Sequence, residues 1–421
     1  MKDFLDSVGP GFCLAKWTQA TIHLGVGLTH SCHHTKAHHI DVEAIKKDPS
    51  ALHNTEQKQN DRAAMLNGHR LPDCNYCWRV EDANAGVSDR VVKSSAPWST
   101  VDKDHILNNN WQRYPRSLEV SFSNVCNFAC AYCGPTYSSQ WAEEINTHGA
   151  YQLPGSKAYN NLAVSQIPNK EDNPYIDAFW KWFPNIVDGL HEFRITGGEP
   201  LLSKHTFKIL ETVSQGKYNL DLGINTNACP PDKVWQRFID HCAQIENNSS
   251  VKNLTVYASA ETVGEDAEYI RDGMIWDKFV ANIEQLLNST DTVNVSFMST
   301  VSVLSVFRMK QFLELLVHWK DKYGDHRVRA DLAQLKHPTF LDVSNFITPS
   351  TINLLLSNIN YLEDKPNMKR EFGRLNTIKN VMVNNAGNPQ QKHKDQLRIF
   401  LETYDQRRSK DHRTIFTDLD I

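Results

Sequence analysis

Cys126, Cys130 and Cys133 stand in the run Cys126-Asn127-Phe128-Ala129-Cys130-Ala131-Tyr132-Cys133, a C-x3-C-x2-C spacing with an aromatic just before the last cysteine. Three soft thiolates offered from one short loop can ligate three irons of a cubane [4Fe–4S] cluster. The fourth iron then has no protein ligand and stays open to a small molecule, which implies chemistry rather than bracing. A zinc loop is the alternative, but structural zinc takes four protein ligands, and no nearby fourth is evident in the sequence.

A second group of thiols precedes the first. Cys13, Gly27 and Cys32 give C-x13-G-x4-C, and after a gap Cys74 and Cys77 give C-x2-C. Four thiolates are the full complement for a closed [4Fe–4S] cluster or a structural zinc. A disulfide framework is the third option, and the lack of a visible signal peptide speaks against it. His33, His34, His38 and His39 lie in the same region; imidazole ligates metals, and a His-rich loop is also commonly just solvated. Of the remaining cysteines, Cys229 follows Asn227-Ala228 and could face the site as a hydrogen-atom donor, while Cys242 lies in an apolar helical pattern. Packing is the alternative reading for both.

These residues need elements to position them. Ser117–Ser123 alternates polar and apolar residues and predicts a strand, and Ser138–Ile145 predicts a helix opening on a Ser cap. The three-cysteine loop therefore sits between strand and helix, the place where α/β barrels keep their chemistry. Further strands are expected at His191–Thr196, Leu220–Ile224, Leu254–Ala258, Thr292–Thr300 and Arg327–Leu335. Helices are expected at Leu202–Gln215, Lys233–Glu246, Trp276–Leu287 and Met309–Trp319, each with apolar residues at helical spacing. Alternation of this kind favours a parallel sheet of about six βα units.

On these residues the chain resembles the radical S-adenosylmethionine (radical SAM) enzymes. The resemblance implies a partial (β/α)6 TIM-like barrel and an open iron that chelates the methionine end of SAM. It also implies reductive cleavage of SAM to a 5′-deoxyadenosyl radical, which abstracts hydrogen from a substrate. Gly197-Gly198-Glu199-Pro200 is similar to the family's GGEP motif, implied to bind the methionine amino group. Thr226 and Asn227 are implied to lie near the ribose and carboxylate of SAM, Ser259 and Arg271 to bind its carboxylate, and Tyr132 to belong to the same cofactor site. Relatives often carry Ser-x-Asp-Gly after the fourth strand; this chain has Ser259-Ala260-Glu261-Thr262. The N-terminal cysteines resemble a SPASM/twitch auxiliary-cluster module, which implies a second [4Fe–4S] cluster on Cys13, Cys32, Cys74 and Cys77. A peptide or protein substrate, modified post-translationally, is the first expectation from relatives with such modules. A nucleotide, sugar or amino-acid derivative is the alternative. The expected electron donor is a flavodoxin or ferredoxin.

Composition fits these expectations. The chain has 421 residues, 40% of them hydrophobic, with a net charge of −4. That charge leaves no general footprint for nucleic acid, and no apolar run reaches the length of a membrane span; a cytoplasmic location is expected. Three regions are expected: residues 1–110 as the auxiliary-cluster domain, 115–336 as the barrel, and 337–421 as a helical extension packing on it. Within that extension, helices are expected at Pro349–Tyr361 and Gln391–Tyr404. An irregular insertion, Ala150–Pro174, is expected to shape substrate binding.

Overall fold

A computed structural model describes residues 1–84, 86–108, 114–156, 158–159, 167, 172–385, 391–419 and 421. Nine strands form one sheet: β1 Gln19–His23, β2 Leu28–His30, β3 His38–His39, β4 Ser117–Ser121, β5 Glu192–Thr196, β6 Tyr218–Thr226, β7 Val251–Ala258, β8 Asn294–Val301 and β9 Val328–Gln334. Their order is β3-β2-β1-β4-β5-β6-β7-β8-β9. The run from β4 to β9 is parallel throughout, giving the six expected βα units. β3 and β9 stand at opposite ends of that order, so the sheet is a partial barrel.

The strands have two faces because side chains alternate along them. In β4, Leu118 and Val120 are fully buried under helices, while Ser117, Glu119 and Ser121 face the lumen side. Four helices cover the apolar face: Lys204–Ser214, Asp232–Asn247, Trp276–Ser289 and Met309–Tyr323. Each buries a stripe at helical spacing, such as Trp235, Phe238, Ile239, Cys242 and Ile245. Ser203 caps the first of them by accepting from the His205 amide.

One feature departs from the sequence reading. The hairpin of β1 and β2 lies between Cys13 and Cys32, and β1 pairs in parallel with β4 over Gln19↔Ser117 to His23↔Ser121. The barrel sheet thus continues into the N-terminal region.

The opposite edge is covered by a helix that the sequence pattern missed, Lys369–Asn385. Its Glu371 accepts from the β9 amide of Ala330 at 3.1 Å and from Lys320 Nζ at 2.8 Å, both within the interior. Covering a free strand edge in this way removes a template for unwanted pairing. The last long helix, Gln391–Arg408, packs instead beside the cysteine loop, in a second core with Trp141, Tyr151, Tyr159 and Phe340. Part of the expected insertion, residues 157, 160–166 and 168–171, lies outside the described residues; Tyr151 and Tyr159 from its start are buried in that second core. Among the described residues no helix is long and apolar enough to cross a membrane.

Candidate active site

The three-cysteine loop leaves β4 at the carboxyl end and enters the helix Ser139–His148. Its backbone is fixed from several sides. The amides of Ala129 and Ala131 donate to the carbonyls of Asp272 and Ile270 at 2.8 and 2.6 Å. Trp141 Nε1 and the Tyr159 hydroxyl donate to the carbonyls of Cys130 and Ala131, and the Tyr404 hydroxyl reaches that of Ala129 at 3.1 Å. These bonds fix the loop conformation that presents the thiols. The sulfurs receive donors as well: the Phe128 amide lies 3.4 Å from Cys126 Sγ and Arg271 Nη1 lies 3.9 Å from Cys130 Sγ. Burial pushes the Cys126 thiol up to about 12 and raises Cys130 and Cys133 too. A metal that binds here must displace those protons.

Gly197 and Gly198 have a reason beyond ligand approach. A Cβ on Gly198 would stand 2.3 Å from the Val125 carbonyl oxygen, and one on Gly197 would stand 2.6 Å from that of Ser123. The two glycines let β5's end lie directly on the cysteine loop, tied by Gly198 and Glu199 amides to the Ser123 and Val125 carbonyls. Glu199 is 2% exposed. Its carboxylate accepts from the Thr226 hydroxyl at 2.9 Å and from the amides of Asn227 and Leu201 at 2.6 and 3.0 Å. Burial nevertheless pushes its pKa up to about 7. Asn227 extends the same network, donating through Nδ2 to Asn127 Oδ1 at 2.7 Å inside the cysteine loop. Pro200 opens the short turn Pro200–Leu202 that follows.

Glu261 is the residue whose part sequence reasoning missed. Arg271 donates to Glu261 Oε2 from Nη2 at 2.6 Å and from Nε at 3.1 Å, and the two residues are 5% and 1% exposed. The Tyr132 hydroxyl lies 3.3 Å from both carboxylate oxygens, and the Arg271 guanidinium lies 5.4 Å from the Tyr132 ring centre. Glu261 thus occupies one edge of the Arg271 fork and leaves Nη1, the edge facing Cys130. The signal was the Glu standing where Ser-x-Asp-Gly was expected. Ser259 follows β7, its amide donating to the Thr226 carbonyl at 3.1 Å. Cys229 is buried; its Sγ lies 3.7 Å from the Ile275 carbonyl and its thiol is pushed up to about 11 by burial. The Cys229 carbonyl, rather than its sulfur, meets the cysteine loop, at Asn127 Nδ2.

Cys13, Cys32, Cys74 and Cys77 come together in space, lining one small pocket with Trp78, Arg90 and Lys93. Burial pushes Cys74 up to about 12 and Cys77 up to about 11. Arg90 holds the surrounding chain, donating to the Phe12 carbonyl and to Glu81 and Asp6. Beside the pocket, His34 Nε2 meets Asp89 Oδ2 at 2.7 Å and stacks on Tyr76, while Lys93 Nζ lies 2.9 Å from His33 Nδ1. His38 bonds Thr55 Oγ1 at 2.8 Å. Among the described residues, the donor groups gathered within 4.8 Å of one another are His33–His34–Asp89 and Asp405–Asp411–His412; neither cysteine set is that tight.

The barrel lumen holds a cavity of about 690 Å³ on its amino-terminal side, lined by Glu119, Arg194, Asp221, Tyr257, Arg329 and His30 among others. It also reaches Cys32 and Lys93, which belong to the four-thiol pocket as well. These lumen residues were legible only as the polar half of each alternating strand.

The structure is a mostly parallel sheet with three thiols on the loop that follows β4. Residues 120–314 match the model of the Radical SAM superfamily; this segment is a radical SAM domain. Among curated proteins it is similar to a GTP 3′,8-cyclase of Campylobacter lari, 24% identical over 212 residues covering 50% of this chain and 54% of that protein. It is also similar to those of Campylobacter curvus, 21% identical over 56% of this chain and 65% of that protein, and Haemophilus ducreyi, 30% identical over 31% and 32%. The chain thus spans less than two thirds of the length of these relatives. Among solved structures, Streptococcus suis SuiB bound to S-adenosylmethionine aligns at 12% identity and a TM-score of 0.40, covering 83% of this chain and 70% of that one.

Proposed function

We propose that the chain cleaves S-adenosylmethionine reductively at a [4Fe–4S] cluster on Cys126, Cys130 and Cys133, and that the resulting radical acts on a small polar molecule held in the barrel lumen. The observation that carries the substrate half is the lumen cavity itself. About 690 Å³ of polar-lined space lies within the range of small-molecule sites. Relatives named GTP 3′,8-cyclase act on a molecule of that class by their name.

Cys126, Cys130 and Cys133 would hold the cluster, whose chemistry would be electron supply to SAM, and the remaining roles fall to the chain. Gly197, Gly198, Glu199 and Pro200 would hold the methionine amino end, Ser259 and the Nη1 edge of Arg271 its carboxylate, and Thr226 and Asn227 the ribose side. Tyr132 and Glu261 would keep Arg271 oriented, since a guanidinium fork paired on one edge can still offer the other. A hydrogen-atom role for Cys229 requires its thiol to leave the Ile275 carbonyl; Cys229→Ala with unchanged turnover would end that idea.

A second [4Fe–4S] cluster on Cys13, Cys32, Cys74 and Cys77 belongs to the same proposal. A tetrahedral zinc with bonds of about 2.3 Å would draw its sulfurs to about 3.8 Å apart. The four thiols share one pocket, and a cubane cluster would hold them on four separate irons, further apart than that. Cys32 lines the lumen cavity too, so a bound substrate would lie against this second site.

The expectation of a peptide or protein substrate is the competing outcome of one experiment. Reconstituted, reduced protein is given SAM with either a pool of nucleotides, sugar phosphates and amino-acid derivatives or a pool of peptides. A rise in 5′-deoxyadenosine with the first pool supports the proposal; a rise confined to peptides overturns its substrate half.

A further inference from the structure

Resting on the lumen reading above, we infer that Arg194 and Arg329 form a subsite for a phosphate group of the substrate, at one end of the barrel cavity. A smaller chamber of about 260 Å³ adjoins the large one and shares Arg194, Thr255, Tyr257, Asn294 and Arg329 with it. Its charged lining is Arg194, Arg329 and Arg370 against one carboxylate, Asp331. Asp331 is in turn shared by Arg370 at 3.7 Å and Arg374 at 3.3 Å. The chamber therefore has an excess of fixed positive charge that its own residues do not neutralise.

Arg194 is built to present its terminal nitrogens. Its Nε donates to Asn225 Oδ1 at 2.8 Å, and its guanidinium lies over the Tyr257 ring with Cζ 4.0 Å from the ring centre. Gly223, on the strand between them, makes this possible: a Cβ there would stand 2.8 Å from Tyr257 Cε2 and 3.4 Å from Arg194 Cγ. Among the described residues Nη1 and Nη2 of Arg194 have no acceptor, and neither Arg194 nor Arg329 is in an ion pair. Among the described residues, the Arg329 side chain is anchored through Nη2 to the His326 carbonyl at 3.0 Å. Two half-anchored guanidiniums at one chamber match the paired acceptors of a phosphate. The larger cavity next to it is lined by Glu119, Glu192 and Asp221, acceptors suited to hydroxyl or amino donors. The combined site fits a phosphorylated polar molecule, phosphate end on the arginines and donor-bearing end on the carboxylates.

The test is calorimetric titration of the reconstituted holoenzyme with inorganic pyrophosphate, and with succinate as a carboxylate probe. The wild-type chain binds pyrophosphate more tightly than succinate. Arg194→Gln and Arg329→Gln each weaken pyrophosphate about tenfold or more, the loss expected for a charged hydrogen bond. Asp331→Asn removes the opposing charge and tightens it, a gain that misfolding could not produce. No pyrophosphate binding by the wild type, equal binding by both arginine variants, weaker or unchanged binding by Asp331→Asn, or succinate binding as tightly would each overturn the inference. Release of 5′-deoxyadenosine by the wild type is scored separately: a protein that cleaves SAM yet ignores pyrophosphate loses this subsite and keeps the radical chemistry.

Discussion

At the scale of single residues, the site rests on ionisable groups taken out of water. Glu261 and Arg271 are the clearest pair, since their side chains are 0% and 6% exposed. Removing one partner strands the other's charge in the interior. Glu261→Ala should cost about 3–5 kcal/mol, read by denaturant unfolding; a stability within 1 kcal/mol or so of wild type, the ordinary scatter of surface changes, would show that the pair does not hold the site. Glu199 makes a pH prediction. Its carboxyl is raised from 4.5 to about 7 by burial, so the folded state holds a proton that the unfolded chain has already released across that window. Its contribution to stability is full below about pH 4.5 and is lost as pH rises towards 7. Glu199→Gln should flatten the fall in unfolding free energy between those values relative to wild type. Parallel pH profiles for the two proteins would contradict the burial argument. At this scale the cysteine groups were legible because their spacing is a local pattern, whereas Glu261 was not, because its partner is ten residues away beyond the helix Gly264–Ile270.

At the scale of elements, the strand ends do the positioning. The end of β5 lies on the cysteine loop only because two glycines have no Cβ. Gly198→Ala forces a side chain to within 2.3 Å of the Val125 oxygen, so the loop must move. Iron and sulfide retained by the Cys126 loop should fall sharply while the four-thiol site keeps its share; unchanged loading of both would contradict the packing. The βα alternation was readable from apolar periodicity, and the predicted β4–β9 strands match to within a few residues. Among the elements that escaped are β1 and the helix Lys369–Asn385. β1 is five residues long, and its place beside β4 is a long-range pairing that no local pattern encodes. The helix Lys369–Asn385 is apolar only weakly on one side, and its reason for being there, Glu371 on the β9 edge, again depends on distant chain.

At the scale of the whole molecule, seven parallel strands curve around a polar lumen, whose amino-terminal side shares Cys32 with the four-thiol pocket. No window of sequence predicts that cavity, because each strand that lines it contributes only one to three residues. Both thiol sets loaded should give the iron and sulfide of two cubane clusters. Cys32→Ala should remove about half of each, since the two sites are separate; a full wild-type count in that variant would remove Cys32 from the ligand set. The central claim is that Cys126, Cys130 and Cys133 hold the metal at which SAM is cleaved. It is tested most directly by 5′-deoxyadenosine released from reduced, reconstituted wild-type and Cys126→Ala protein given SAM. The account predicts release by the wild type and none above background by the variant; equal release by both would contradict it.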